Sequence, residues 1–126
     1  MQAIYQTIIY QTVVTKIGQF ARDALAENML ITFKQGAPQD LEDFCFIHQH
    51  GELSTDVQPG DVLQINEQDF PITAVGSVAS FNLKELGHVT FRFDAATEAE
   101  YPGTIHLIGD VPATLDVNSV LKIKRN

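Results

Sequence analysis

From position 4 to position 17 the chain is dominated by β-branched residues: Ile4, Thr7, Ile8, Ile9, Thr12, Val13, Val14, Thr15 and Ile17 fill nine of fourteen positions. Such side chains lose χ1 freedom in a helix and pack well on a pleated surface, so the stretch predicts a strand. The words Ile4-Tyr5-Gln6-Thr7 and Ile9-Tyr10-Gln11-Thr12 repeat at five residues. An odd shift swaps the faces of a strand, so only one copy fits the native register unless the chain bends between them. Phe20, Ala21, Ala24 and Leu25 then recur at helical spacing and predict a short helix over residues 19–27, stopped at Asn28. Met29 to Phe33 predicts a second strand ending at Gly36. Pro38 opens a helical turn with acidic residues near its positive end, and Cys45 to His50 predicts a third strand.

Further along, Pro59-Gly60-Asp61 and Glu67-Gln68-Asp69 are turn chemistry on either side of Val62 to Asn66, and Phe70 to Val75 follows as the partner strand of a hairpin. Ser80 is placed to cap a short helix over residues 81–86, with Gly87 suited to a left-handed exit. His88 to Phe93 alternates cleanly and puts Val89, Phe91 and Phe93 on the buried side. Pro102-Gly103 turns into a strand over residues 104–108, and residues 119–124 set Leu121 and Ile123 against Lys122 and Lys124. Six or more short strands with brief helices predict an all-β fold, a small closed barrel or sandwich rather than a βαβ sheet.

Length and charge narrow the picture. At 126 residues the chain fits one domain, 1–126, that buries about two thirds of its open-chain surface. A hydrophobic share of 44% rules out disorder for most of it. No apolar run approaches the ~20 residues needed to cross a bilayer and no export signal opens the chain, so a soluble, cytoplasmic protein, not membrane-embedded, is expected. The single Cys45 excludes an intramolecular disulfide framework and a multi-cysteine zinc site. Eight basic residues against sixteen acidic ones give a net charge of −8. The long acidic middle would repel a phosphate backbone, so no nucleic acid partner is expected, whereas a basic protein is.

The chemistry concentrates in Phe44-Cys45-Phe46-Ile47-His48-Gln49-His50-Gly51-Glu52. On an extended strand His48 and His50 project from one face about 7 Å apart, and Glu52 joins them if the strand runs past Gly51. Two imidazoles and a carboxylate suit a divalent metal, in a small metal-binding β-barrel protein. They equally suit nucleophilic chemistry in which one ring attacks and the other orients the transferred group. The same spacing also fits two ordinary surface histidines. His88 and His106 taken singly read as packed or solvent-facing, Cys45 as a buried inert thiol, and the acidic pairs Glu42-Asp43 and Glu98/Glu100 as solvated faces. Lys84 and Arg92, the only cations between residues 35 and 119, could help hold a phosphate. Phosphate-cradling glycine loops, serine-hydrolase elbows and paired Cys-x-x-Cys motifs are absent.

Several longer words carry a resemblance: Met29 to Phe33, Phe44 to Leu53, Pro71 to Ala79, Asn82 to Asp94 and Glu100 to His106. Together, over roughly Ile9 to Lys124, they resemble the glucitol/sorbitol-specific enzyme IIA component of the bacterial sugar phosphotransferase system. The extra N-terminal Ile-Tyr-Gln-Thr copy lies outside the match. The resemblance implies a small cytoplasmic phosphocarrier with an all-β barrel fold that needs no cofactor. It would take a phosphoryl group from the histidine-containing phosphocarrier protein HPr and pass it to the IIB domain of a membrane sugar transporter built from IIB and IIC components. It places the phosphorylated histidine in the Phe-Ile-His word, at His48; strand alternation puts His50 on the same face, in support, and a homo-oligomer is compatible with such a carrier. The sequence near His48 offers no positive group to screen the phosphate.

Overall fold

The computed structural model describes residues 7–126. Eight strands close into a barrel. In chain order they are β1 (Thr7–Ile17), β2 (Met29–Lys34), β3 (Phe46–His48), β4 (Val62–Ile65), β5 (Gln68–Val75), β6 (Val89–Arg92), β7 (Thr104–Leu107) and β8 (Val120–Arg125). Three short helices, α1 (Ala21–Ala26), α2 (Gln39–Glu42) and α3 (Ala79–Leu86), interrupt them. Around the barrel the strands run β1, β3, β2, β6, β7, β5, β4, β8, and β8 closes onto β1. Of the two architectures the pattern allowed, closure selects the barrel, which leaves no sheet edge exposed.

The β-branched opening forms the longest strand, and its length is used twice. Residues 7–13 pair with β8, and residues 14–17 pair with β3. A register shift between Ile8 and Tyr10 falls at the junction of the two Ile-Tyr-Gln-Thr words. There Ile9 and Tyr10 are both buried in succession, as a bulge permits. Residues 4–6 of the first copy lie outside the described residues.

Two of the eight pairings, β2 with β3 and β6 with β7, are parallel. Parallel neighbours cannot be joined by a tight turn, so the chain crosses over through residues 35–45 and 93–103. The first crossover slots β3 between β1 and β2, and sets His48 opposite Val14 on one side and Lys34 on the other.

The expected inward side chains Val89, Phe91 and Phe93 sit in the main core with Leu30, Phe46, Leu63, Phe70, Leu121 and Ile123. A small void of about 10 Å³ inside the barrel is bordered by Phe91, Leu83, Leu121 and the His48 ring, so the interior is almost filled. The far face of β3 is buried as well: Ile47 packs with Phe33 and Cys45 in a second cluster. Burial, with the Glu42 charge nearby, pushes the Cys45 thiol up to about 11, which keeps it protonated and unreactive.

Four local expectations are corrected. Ser80 does not cap α3: the helix starts at Ala79, Val78 occupies the N-cap position, and Ser80 Oγ accepts the Val57 N–H at 2.9 Å instead. The hairpin turn is shorter than expected, because Gln68 and Asp69 already pair with Ile65 and Gln64. Lys124 is buried rather than solvent-facing, its ammonium 3.0 Å from Asp69. Finally, β3 stops at His48 instead of running on to His50.

Cutting Phe91 to alanine should cost ~3–5 kcal/mol, since it removes a large side chain from a nearly void-free interior. Lys122→Ala, on the solvent side of β8, should cost under ~0.5 kcal/mol. Urea midpoints for the two variants measure the difference directly. Equal shifts would contradict the assignment of faces.

Candidate active site

His48 and His50 do converge, by a route that alternation along a strand does not describe. After β3 ends, His50 adopts a left-handed backbone with φ of 71°. That turn folds the His50 N–H back onto the Nδ1 of His48, 3.0 Å away. The two rings lie edge to face with centroids 5.9 Å apart.

Each ring is held at both nitrogens. Thr12 Oγ1 lies 3.0 Å from His48 Nδ1, and His48 Nε2 lies 2.8 Å from the Gly87 carbonyl. A carbonyl only accepts and a backbone N–H only donates, so Nε2 of His48 carries the proton and Nδ1 carries the lone pair. The same logic fixes His50. Its Nε2 donates to the Lys84 carbonyl at 2.9 Å, which leaves Nδ1 to accept from the Tyr10 hydroxyl at 2.9 Å. Burial raises the Tyr10 phenol well above its ordinary value, so it stays a donor.

These contacts also explain why α3 ends where it does. Gly87 takes the left-handed C-cap conformation with φ of 59°, the exit its sequence predicts. The last carbonyls of a helix lack partners within it. Here His50 serves Lys84, Lys34 Nζ serves Glu85 at 3.1 Å, and His48 with Thr32 Oγ1 serves Gly87. A side chain at position 87 has no room: a Cβ there would lie 2.6 Å from His48 Cε1 and 3.1 Å from His50 Nδ1.

The two histidines differ in exposure. His48 is only 1% exposed, whereas His50 borders an open cleft of about 700 Å³ with Glu52, Lys84 and Glu85. Burial lowers the His48 pKa to about 4; the Gly87 hydrogen bond opposes that shift and the neighbouring His50 adds to it. The ring is therefore neutral at neutral pH, the nucleophilic form of an imidazole.

With this geometry in view, the relatives are informative. A family model described as "PTS system glucitol/sorbitol-specific IIA component" matches residues 9–122. The chain belongs to this family. Curated proteins named "PTS system glucitol/sorbitol-specific EIIA component" from Shigella flexneri and from Escherichia coli (strain K12) are each 56% identical over 118 residues, covering 94% of this chain and 96% of theirs. The crystal structure of a PTS system IIA component from Enterococcus faecalis V583 superposes with a TM-score of 0.80 at 29% identity, over 88% of this chain and 96% of that one. Membership makes the protein a phosphocarrier in sugar transport, with sugar-transporter components as its partners. No helix among the described residues is long and apolar enough to cross a membrane.

The remaining candidates stand apart. Glu52 lies in the cleft beside His50, but among the described residues no three His, Cys, Asp or Glu side chains form a group able to hold a metal ion. His88 Nδ1 donates to the Thr32 carbonyl at 2.9 Å, and its ring lies against Phe33. His106 is buried, with Nδ1 2.8 Å from Asp94. Arg92 reaches Met29 Sδ rather than the histidines, while Lys84 borders the cleft. Sequence reasoning missed Tyr10, Thr12, Thr32 and Lys34. Only their placement on β1 and β2, next to β3 in space, brings them to the site.

A buried histidine with a lowered pKa contributes stability that is present above its unfolded value of about 6.5 and is lost as pH falls toward 4. Unfolding free energy should therefore drop by about 3 kcal/mol between those pH values through His48 alone, and the drop should be missing in His48→Gln. The ¹⁵N shifts of the His48 ring, followed over the same range, should stay those of a neutral Nε2–H tautomer down to about pH 4. Titration near 6.5 would contradict the assignment.

Proposed function

We propose that the protein is a single IIA domain, residues 1–126, that accepts a phosphoryl group from phosphorylated HPr on His48 in the cytoplasm. It then passes the group to the IIB domain of a glucitol/sorbitol transporter. One observation carries the reading: a neutral imidazole in the Phe-Ile-His segment, its tautomer fixed by Gly87, beside a second imidazole that faces an open cleft. The −8 charge of the chain favours a basic partner surface.

In the closed arrangement His48 is covered by Gly87 and by the His50 turn, so the docked partner reaches it after these have moved aside. With Gly87 displaced, Nε2 gives its proton to solvent while Nδ1 takes one and donates it to Thr12 Oγ1, and the Nε2 lone pair then attacks phosphorus in line. A P–N bond to His48 forms as the donor's P–N bond breaks, and the donor ring leaves with the electron pair of that bond. His48 keeps its ring proton on the nitrogen that has not reacted until solvent removes it. Phosphoryl transfer asks a protein chiefly for positioning and charge stabilisation. His50 supplies positioning: Tyr10 holds its Nδ1, so the Nε2–H, once released from the Lys84 carbonyl, is free to bond a phosphoryl oxygen. The P–N bond stores the transfer potential, so no cofactor enters the step.

Incubated with phosphoenolpyruvate, enzyme I and HPr, the wild type should gain ~80 Da, and His48→Ala should gain nothing. His50→Ala should still be phosphorylated, but ~10²-fold more slowly. Fragment mass spectrometry under conditions that spare the P–N bond identifies the modified ring. A phosphoryl group on His50 would reverse the two roles, and one on neither histidine would sink the reading.

A further inference from the structure

A dianionic phosphoryl group at His48 meets an unfavourable field. The carbonyl end of α3 points at both histidines, and Glu52 and Glu85 line the cleft beside His50. A helix C-terminus and carboxylates disfavour added negative charge, so phosphoryl transfer there requires compensating cations.

The inventory of cations is short. All eight Lys and Arg residues lie among the described residues. Four are engaged with carboxylates: Lys16 with Glu42, Arg22 with Asp116, Lys124 with Asp69 and Arg125 with Asp61. Arg92 reaches Met29 Sδ, and Lys122 borders a different cleft with Asn66 and Glu67. Lys34 and Lys84 remain. They are 50 residues apart in sequence, so nothing local associates them, yet both reach the final turn of α3. Lys34 is the register partner of His48 on the adjacent strand and caps the Glu85 carbonyl at 3.1 Å. Lys84 lines the cleft next to His50, and its own carbonyl is the one His50 holds. Neither makes a salt bridge among the described residues.

Resting on the reading that His48 takes the phosphoryl group, we propose that Lys34 and Lys84 are the cations that hold it, Lys34 from the β2 side and Lys84 from the cleft. The Lys34 ammonium is already positioned at the turn that covers His48, and Lys84 belongs to that turn and borders the cleft. When that turn yields to an incoming phosphoryl group, Lys34 exchanges a neutral carbonyl for a charged oxygen, and Lys84 swings in from solvent. In this role they bind the group in transit and lower the barrier by screening charge on its equatorial oxygens.

The test uses the full chain, the variants Lys34→Met and Lys84→Met, their double variant, and the arginine versions, each phosphorylated through enzyme I and HPr. Two quantities are read: the rate at saturating phosphorylated HPr, and the second pKa of the protein-bound phosphoryl group by ³¹P NMR. Each methionine variant should lower the saturated rate ~10-fold and the pair ~10²-fold. The phosphoryl pKa, ordinarily about 6, should sit below that value in the wild type and rise toward it in the double variant. Arginine should restore both. An unchanged saturated rate and phosphoryl pKa would overturn the proposal. So would a change confined to half-saturation, which would make the lysines docking contacts only. If Lys34→Met fails to fold for want of the Glu85 cap, Lys84→Met, on an exposed side chain, decides by itself. A wild type that gains no phosphoryl group refutes the His48 reading; normal wild-type uptake with indifferent lysine variants refutes this proposal alone.

Discussion

The hydrogen bond from His48 Nε2 to the Gly87 carbonyl, 2.8 Å long, joins the end of β3 to the end of α3 inside a nearly closed space. It fixes where the proton on His48 lies, and therefore which nitrogen keeps the lone pair. The helix depends on it in turn, because Gly87 has left the α-helical conformation and its carbonyl needs a partner from outside. Only glycine fits there: a Cβ would overlap the His48 ring. A buried donor or acceptor left without a partner costs about 1–3 kcal/mol, so ring and turn hold each other in place.

That mutual dependence also sets the electrostatics. Because the contact is buried, the ring stays neutral far below the pH at which a free imidazole would charge. A neutral ring is the nucleophilic form, and a buried one is protected from side reactions with water. The cost is access. Gly87 and the His50 turn lie over His48, so on the proposed function the resting structure is a closed state. His50 stands between His48 and the cleft, with its orientation set by Tyr10. The proposed chemistry is thus layered, with the ring assigned to the phosphoryl group behind and the ring assigned to positioning in front.

Much of this could be read along the chain, and the rest could not for a definite reason. The alternation of Val89, Phe91 and Phe93, the hairpin over residues 62–75, the Gly87 exit and the buried Cys45 are all local patterns, and each appears in the fold. The pairing of His48 with His50 was also correctly anticipated, although by the wrong geometry. The alternation of an extended strand was expected to align them, whereas a left-handed residue at His50 does so. Three features escaped because they depend on contacts between residues distant in sequence. The parallel insertion of β3 between β1 and β2 brings Thr12, Thr32 and Lys34 to the site, and no spacing in the sequence encodes that neighbourhood. The absence of a positive group near His48 in sequence was real, yet in space Lys34 stands opposite it in register. Ser80 was misplaced because its hydroxyl satisfies a distant backbone group, Val57, rather than its own helix.

The central claim is that phosphorylation and the Gly87 contact exclude one another at His48. The structure of the phosphorylated protein, determined at a resolution that shows carbonyl oxygens, tests it most directly. The account predicts phosphorus bonded to a His48 ring nitrogen, and residues 84–87 displaced so that the Gly87 carbonyl no longer reaches that ring. A phosphoryl group seated elsewhere, with the His48 to Gly87 hydrogen bond still at its resting length, would contradict it.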